Sequence, residues 1–182
     1  MKVLKIVLLG MCVAAAIPSA QAQKFGVRAG LTIANVSGDG FGSDVKPLTG
    51  VYAGVFKEIT IVPELFFLEP EVQYSMQGFK TNDTNYSIGY INVPVLAKVY
   101  ILKTLSLEAG PQVGFKINDN FPDSAGDDTK IETIDTAIAG GIGLNFPIGL
   151  SINARYAMGL SDIVKDVDGK NQVIQVGAAF KF

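Results

Sequence analysis
The 182-residue chain predicts an all-β fold: an eight-stranded antiparallel up-and-down transmembrane β-barrel, closed by pairing of the first and last strands. Three observations predict it. Segment after segment alternates apolar and polar residues with period two, and none sustains a helical period. The apolar stripes run about 10 residues, the length a tilted strand needs to cross a bilayer. Long polar connections alternate with tight ones, as they do in membrane barrels with short periplasmic turns and longer external loops.

Each element follows from its own alternation. KFGVRAGLTIAN places Phe25, Val27, Ala29, Leu31 and Ile33 on one face, and Lys24, Gly26, Arg28, Gly30 and Thr32 on the other. TGVYAGVFKEI, residues 49–59, is strand-like, but both parities mix apolar and polar residues, so its buried face stays open. ELFFLEPEVQYSMQ sets Phe66, Leu68, Pro70, Val72, Tyr74 and Met76 against Glu69, Glu71, Gln73 and Ser75. YINVPVLAKVYI sets Ile91, Val93, Val95, Ala97, Val99 and Ile101 against Asn92 and Lys98. LSLEAGPQVGFKI carries Leu105, Leu107, Ala109, Pro111, Val113 and Phe115 opposite Ser106, Glu108, Gln112 and Lys116. IDTAIAGGIGLNF, LSINARYAMGL and NQVIQVGAAFKF repeat the pattern, with Asp135, Arg155 and Lys181 on their polar faces. Pro70, Pro94 and Pro111 lie inside strands, where each removes a ladder donor, and are expected to mark bulges or bends. The long connections are expected at Asn35–Pro47, Gly78–Ser87, Asn118–Ile131 and Ser161–Asn171, and the tight ones near Thr60–Pro63, Lys103-Thr104 and Pro147–Gly149.

The first 22 residues stand apart. Lys2 and Lys5 precede an apolar run from Ile6 to Ile17 and the small-residue site Ala20-Gln21-Ala22, the layout of a cleaved signal peptide. The run is too short for a membrane anchor. Met11 before Cys12 argues against a lipoprotein site. Cleavage after Ala22 leaves one barrel domain, residues 23–182, without cysteine and with 13 basic against 17 acidic side chains. Disulfides are then excluded, and nothing suggests nucleic acid. The chain has no histidine, which excludes Ser-His-Asp and Cys-His catalysis and imidazole-based zinc sites.

Alternation alone does not say which face points inward. A soluble lipocalin-like periplasmic binder would turn the apolar face in, and a membrane barrel would turn it out. Stripe length, the glycine-dense polar face and charges of both signs on that face favour the membrane barrel. Arg28, Lys98, Arg155 and Lys181 then meet Glu69, Glu71 and Glu108 inside an eight-stranded lumen that side chains can fill. Buried singly these charges would be prohibitive, so pairing is required, and the lumen is expected to be plugged. Phe25, Phe115, Phe146, Phe180 and Phe182 near the stripe ends fit interfacial girdles. Asp119, Asp123, Asp127 and Asp128 form the acidic cluster most like a calcium site, with a second at Asp162, Asp166 and Asp168. Neither has EF-hand spacing, so no metal and no cofactor is expected.

Taken in order, GVRAGLTIAN, TGVYAGVFKEI, PEVQYSMQGFK, YINVPVLAKVY, LEAGPQVGF, NARYAMGLSDI and QVGAAFKF resemble the small outer-membrane β-barrel proteins of the PorT-like type abundant in Bacteroidetes. The resemblance implies an OmpX-like or OmpA-like barrel in the outer membrane of a Gram-negative cell envelope, inserted by the outer-membrane assembly machinery. The terminal strand, with Phe180 and Phe182, resembles the C-terminal insertion signal of such barrels. No reaction is implied. The expected role is a non-enzymatic, monomeric membrane scaffold whose four external loops contact extracellular protein or glycan. An accessory component of an outer-membrane secretion system is the alternative. A carboxylate-based enzyme using Glu69 and Glu71 is the third possibility, against which their pairing in the lumen weighs.

Overall fold
The computed structural model describes residues 24–37, 46–81, 84–120, 133–164 and 167–182. They form eight strands: β1 (Lys24–Ser37), β2 (Lys46–Val62), β3 (Phe66–Thr81), β4 (Thr84–Leu102), β5 (Leu105–Asp119), β6 (Ile134–Asn145), β7 (Leu150–Val164) and β8 (Val167–Lys181). Each pairs antiparallel with its sequence neighbour, and β1 pairs with β8, so the sheet is a closed barrel. Closure removes the free edges that a sheet would expose in lipid. The β1–β8 seam runs from Gly26↔Lys181 to Ser37↔Lys170. The Phe182 N–H extends it by donating to the Phe25 carbonyl at 2.9 Å.

Three tight turns join strands at one end. The β2–β3 turn holds Glu64 at a φ of 62° and closes with Leu65 N–H donating to the Val62 carbonyl. Lys103-Thr104 links β4 to β5. Gly149 takes a φ of 85° in the β6–β7 turn, a conformation that favours glycine.

At the other end two expectations fail. Gly78–Ser87 and Ser161–Asn171 are not long loops: β3 and β4 stay paired out to Thr81↔Thr84, and β7 and β8 to Val164↔Val167. A two-stranded ribbon outside the bilayer is satisfied by backbone pairing and needs no apolar stripe. In the first ribbon Phe79 also packs on Tyr86, ring centres 5.4 Å apart. Residues 38–45 and 121–131, within the other two expected loops, and the signal segment lie outside the described residues.

The prolines also behave differently from expectation. The registers pass Pro70, Pro94 and Pro111 without a shift, losing only ladder pairs at or beside each proline. The register shifts fall elsewhere, for instance between Pro47 and Tyr52 and between Gly89 and Tyr90.

The open question of β2 is settled by its burial. Tyr52, Phe56 and Glu58 point inward, and Val51, Ala53 and Val55 point outward. Its two parities look alike because the inward set includes two aromatic residues, Tyr52 and Phe56. The inner surface is lopsided. β1 to β4 contribute large groups, including Arg28, Tyr52, Phe56, Tyr90, Leu96 and Lys98, whereas the facing wall interleaves polar side chains such as Arg155 and Gln175 with the small residues Ala137, Ala139, Gly141, Gly143, Ala157 and Gly177. The long side chains of one wall fill the space that the small residues of the other leave. Tyr52 shows how tightly: a Cβ added at Gly177 would sit 2.5 Å from its hydroxyl, and one at Gly30 would sit 2.8 Å from its ring.

Candidate functional site
The inward parity of seven strands delivers charge to the lumen. Arg28 comes from β1, Glu58 from β2, Glu69 and Glu71 from β3, Lys98 from β4, Glu108 from β5, Arg155 from β7 and Lys181 from β8. β6 contributes room instead: a Cβ at Gly141 would lie 3.1 Å from Glu108 Oε1. The seven charges expected in the lumen all sit there, and Glu58 makes the set four cations and four carboxylates.

Two guanidiniums organise the middle. Arg28 Nη2 donates to Glu69 Oε1 at 2.6 Å, while its Nη1 lies 3.1 Å from Glu71 Oε2 and 3.6 Å from Glu108 Oε1. Arg155 Nε donates to Glu108 Oε1 at 2.9 Å, and Nη1 and Nη2 both reach Glu71 Oε2 at 3.1 Å. Phe56 lies beneath the Arg28 guanidinium, 4.9 Å from its ring centre, adding a cation–π contact. Toward the short-turn end, Lys98 Nζ donates to Glu69 Oε2 at 2.9 Å and lies 3.4 Å from Glu58 Oε2. Lys181 Nζ then binds Glu58 at 3.1 Å and the Tyr100 hydroxyl at 2.6 Å, and that hydroxyl donates to Glu58 Oε2 at 2.9 Å. Phe67 packs edge-on against Tyr100.

The side chains of the two arginines and of Glu69, Glu71 and Glu108 are at most 4% exposed. Buried charges are tolerated only when paired and hydrogen-bonded, and in this network every charge meets at least one of opposite sign. The lumen is therefore near neutral where its bore is crossed by salt bridges. Chemically such a network holds carboxylates in place.

Polar groups continue on both sides. Toward the opposite end, Ser161 Oγ donates to Asp135 Oδ1 at 3.0 Å, and Asn171 Nδ2 donates to Gln77 Oε1 and to Asp135 Oδ2. Near the short turns, Asn145 Nδ2 donates to Ser106 Oγ at 2.9 Å. Of the candidate calcium ligands, Asp119 is described and is bound by Lys116 Nζ at 2.7 Å; Asp123, Asp127 and Asp128 lie outside the described residues. Among the described residues no group of three acidic, cysteine or histidine side chains converges to hold a metal.

Outside, the barrel is apolar. Leu31, Val55, Ile138, Ile142 and Val176 are about half exposed around its girth. Phe25, Phe146, Phe180 and Phe182 cluster outward at the short-turn end. Phe115 lies toward the other end of β5, between Ile91 and Ile134.

The profile of the outer membrane protein beta-barrel domain matches residues 20–165. The chain belongs to that family. Solved structures share its fold at low sequence identity. Neisserial surface protein A aligns with a TM-score of 0.64 at 15% identity, over 89% of this chain and 100% of that one. The attachment invasion locus protein Ail of Yersinia pestis, in complex with the heparin analogue sucrose octasulfate, aligns with a TM-score of 0.57 at 19% identity, over 89% and 100%. OprG, an outer membrane protein of Pseudomonas aeruginosa, gives 0.53 at 13% identity over 88% and 96%. No curated protein matches in sequence. This outer-membrane barrel thus places its apolar outer face in lipid; in such barrels the short turns face the periplasm.

Glu58, Tyr100, Tyr52 and Phe56 escape sequence reasoning. Glu58 shares parity with two aromatic residues on the strand whose faces look alike. The available signal was its spacing: Glu58 lies an even number of residues from Tyr52 and Phe56, so all three must share a face.

Proposed function
We propose that this barrel is a non-enzymatic surface protein: a sealed membrane anchor that presents its external end to partners outside the cell. The observation that carries the proposal is the salt-bridged lumen, in which four cations and four carboxylates from seven strands cross the bore. A barrel closed in this way is a scaffold whose accessible chemistry lies at its ends, and loops on rigid scaffolds are where recognition concentrates. The paired β3–β4 and β7–β8 ribbons support this reading by giving the external end a rigid rim. Ail, which shares the fold, is a precedent for ligand recognition by such a barrel. The absence of histidine and the pairing of Glu69 and Glu71 favour a non-enzymatic role.

In the same proposal residues 1–22 are the export signal, and Phe180 and Phe182 are read by the assembly machinery during insertion. A deletion strain is compared with one carrying the barrel with its four external connections shortened. Loss of surface binding in both supports the proposal. A phenotype restored by the shortened barrel overturns recognition at the external end. Accumulation of secretion substrates in the deletion strain alone favours the PorT-like role.

A further inference from the structure
Within the apolar belt Lys57 is the one charged side chain among the described outward-facing residues. It stands directly opposite Phe25 in the β1–β2 ladder, with Nζ 5.2 Å from the centre of that ring. No described carboxylate pairs with it, since its neighbour Glu58 points inward onto Lys181 and Tyr100. A cation near the membrane boundary is favoured when an anionic headgroup meets it.

The next rung away from the periplasmic end, Val27↔Val55, opens onto a groove of about 570 Å³. Its walls are Val27, Val55, Leu150 and Phe180. Its floor is set by the register, which lines up Ala53 on β2, Ala29 on β1 and Ala178 on β8. The cation and the groove are thus adjacent on one outward surface, with the cation nearer the periplasm.

We propose that Lys57 and this groove form a binding site for an anionic glycerophospholipid of the periplasmic leaflet, its phosphate on Lys57 and one acyl chain in the groove. The order of the parts matches such a lipid, headgroup toward water and chain toward the membrane centre. A second copy of the barrel fits less well. It would bring no carboxylate to Lys57 from the described outward belt, and a two-fold contact would set two lysines near each other.

Native mass spectrometry of the delipidated barrel, titrated with phosphatidylglycerol or with phosphatidylcholine of the same chains, tests the site. Wild type is expected to retain one phosphatidylglycerol about fivefold better than phosphatidylcholine, the factor expected for one lysine at an anionic surface. Lys57→Gln should equalise the two lipids, and Ala53→Leu, which fills the groove, should weaken both. Both changes lie on the outward face, and a heat-modifiable gel band checks that the variants fold. Equal retention of the two lipids by wild type overturns the proposal. A barrel dimer that Ala53→Leu dissociates also overturns it, assigning the groove to self-association.

Discussion

Replacing Arg155 with alanine tests whether the lumen is held by paired charge. The guanidinium makes four of the network's short contacts, two to Glu108 Oε1 at 2.8 and 2.9 Å and two to Glu71 Oε2 at 3.1 Å. Without it Glu71 keeps Arg28 at 3.1 Å, but Glu108 keeps only Arg28 at 3.6 Å. Removing one partner of a buried ion pair costs about 3–5 kcal/mol, because the remaining charge stays buried without compensation. That is a large part of the roughly 5–15 kcal/mol by which a typical domain is stable. The companion Arg155→Met/Glu108→Gln removes both charges and should recover part of the loss, since an apolar or neutral replacement of a buried pair is often near neutral. Asp119→Ala, whose Lys116 bridge is partly exposed, should change stability by less than about 1 kcal/mol. Equilibrium unfolding by urea in lipid vesicles, followed by the heat-modifiable gel shift, gives all four midpoints. Coincident midpoints for Arg155→Ala and wild type would refute the reasoning.

The same geometry sets further outcomes. Tyr100→Phe removes a hydroxyl that accepts from Lys181 and donates to Glu58, and should cost about 1–3 kcal/mol in the same assay. Gly177→Val should abolish the folded band, because its Cβ would lie 2.3 Å from the Ala29 carbonyl oxygen, whereas Gly140→Ala, with no neighbour closer than 3.8 Å, should fold normally. Leu31→Arg puts a charge on the lipid face and should destabilise by about 2–4 kcal/mol near the membrane midplane; an unchanged midpoint would argue against the outward assignment. In planar bilayers the wild-type barrel should conduct little. Arg155→Ala/Glu108→Ala, which clears part of the bore, should conduct more, and an unchanged trace would place the block elsewhere.

The strands were legible because lipid outside and a polar lumen inside impose period two over every apolar stripe except that of β2, so parity alone sorted Arg28, Glu69, Glu71, Lys98, Glu108, Arg155 and Lys181 from Val27, Leu68, Val99, Leu107 and Phe180. Where the strands leave the bilayer that constraint lapses. Polar residues such as Asn85 and Ser87 then read as loop although the backbone remains paired, as Lys80↔Asn85 and Gly78↔Ser87 show. β2 was ambiguous for a different reason. The lumen has room for rings wherever a glycine faces them, so Tyr52 and Phe56 on the inside look like lipid-facing residues until their neighbours are known. Partner identity across the bore was beyond sequence, because Arg155 and Glu71 are 84 positions apart and meet only once the barrel closes.

The glycines and the charges of the lumen depend on one another. Without side chains at Gly26 and Gly30, Phe56 and Tyr52 can lie flat against the β1 wall; a Cβ at Gly26 would sit 2.3 Å from the Phe56 ring. Lying there, Phe56 is placed beneath the Arg28 guanidinium. That position fixes the guanidinium between Glu69 and Glu71, and the pairing in turn makes burial of three carboxylates from β3 and β5 tolerable. A larger residue at Gly26 would therefore act twice, by displacing a ring and by loosening an ion pair that the ring supports. Its cost should exceed that of Phe56→Ala, which leaves the pair its space, and that ordering distinguishes a coupled lumen from one in which packing and charge contribute separately.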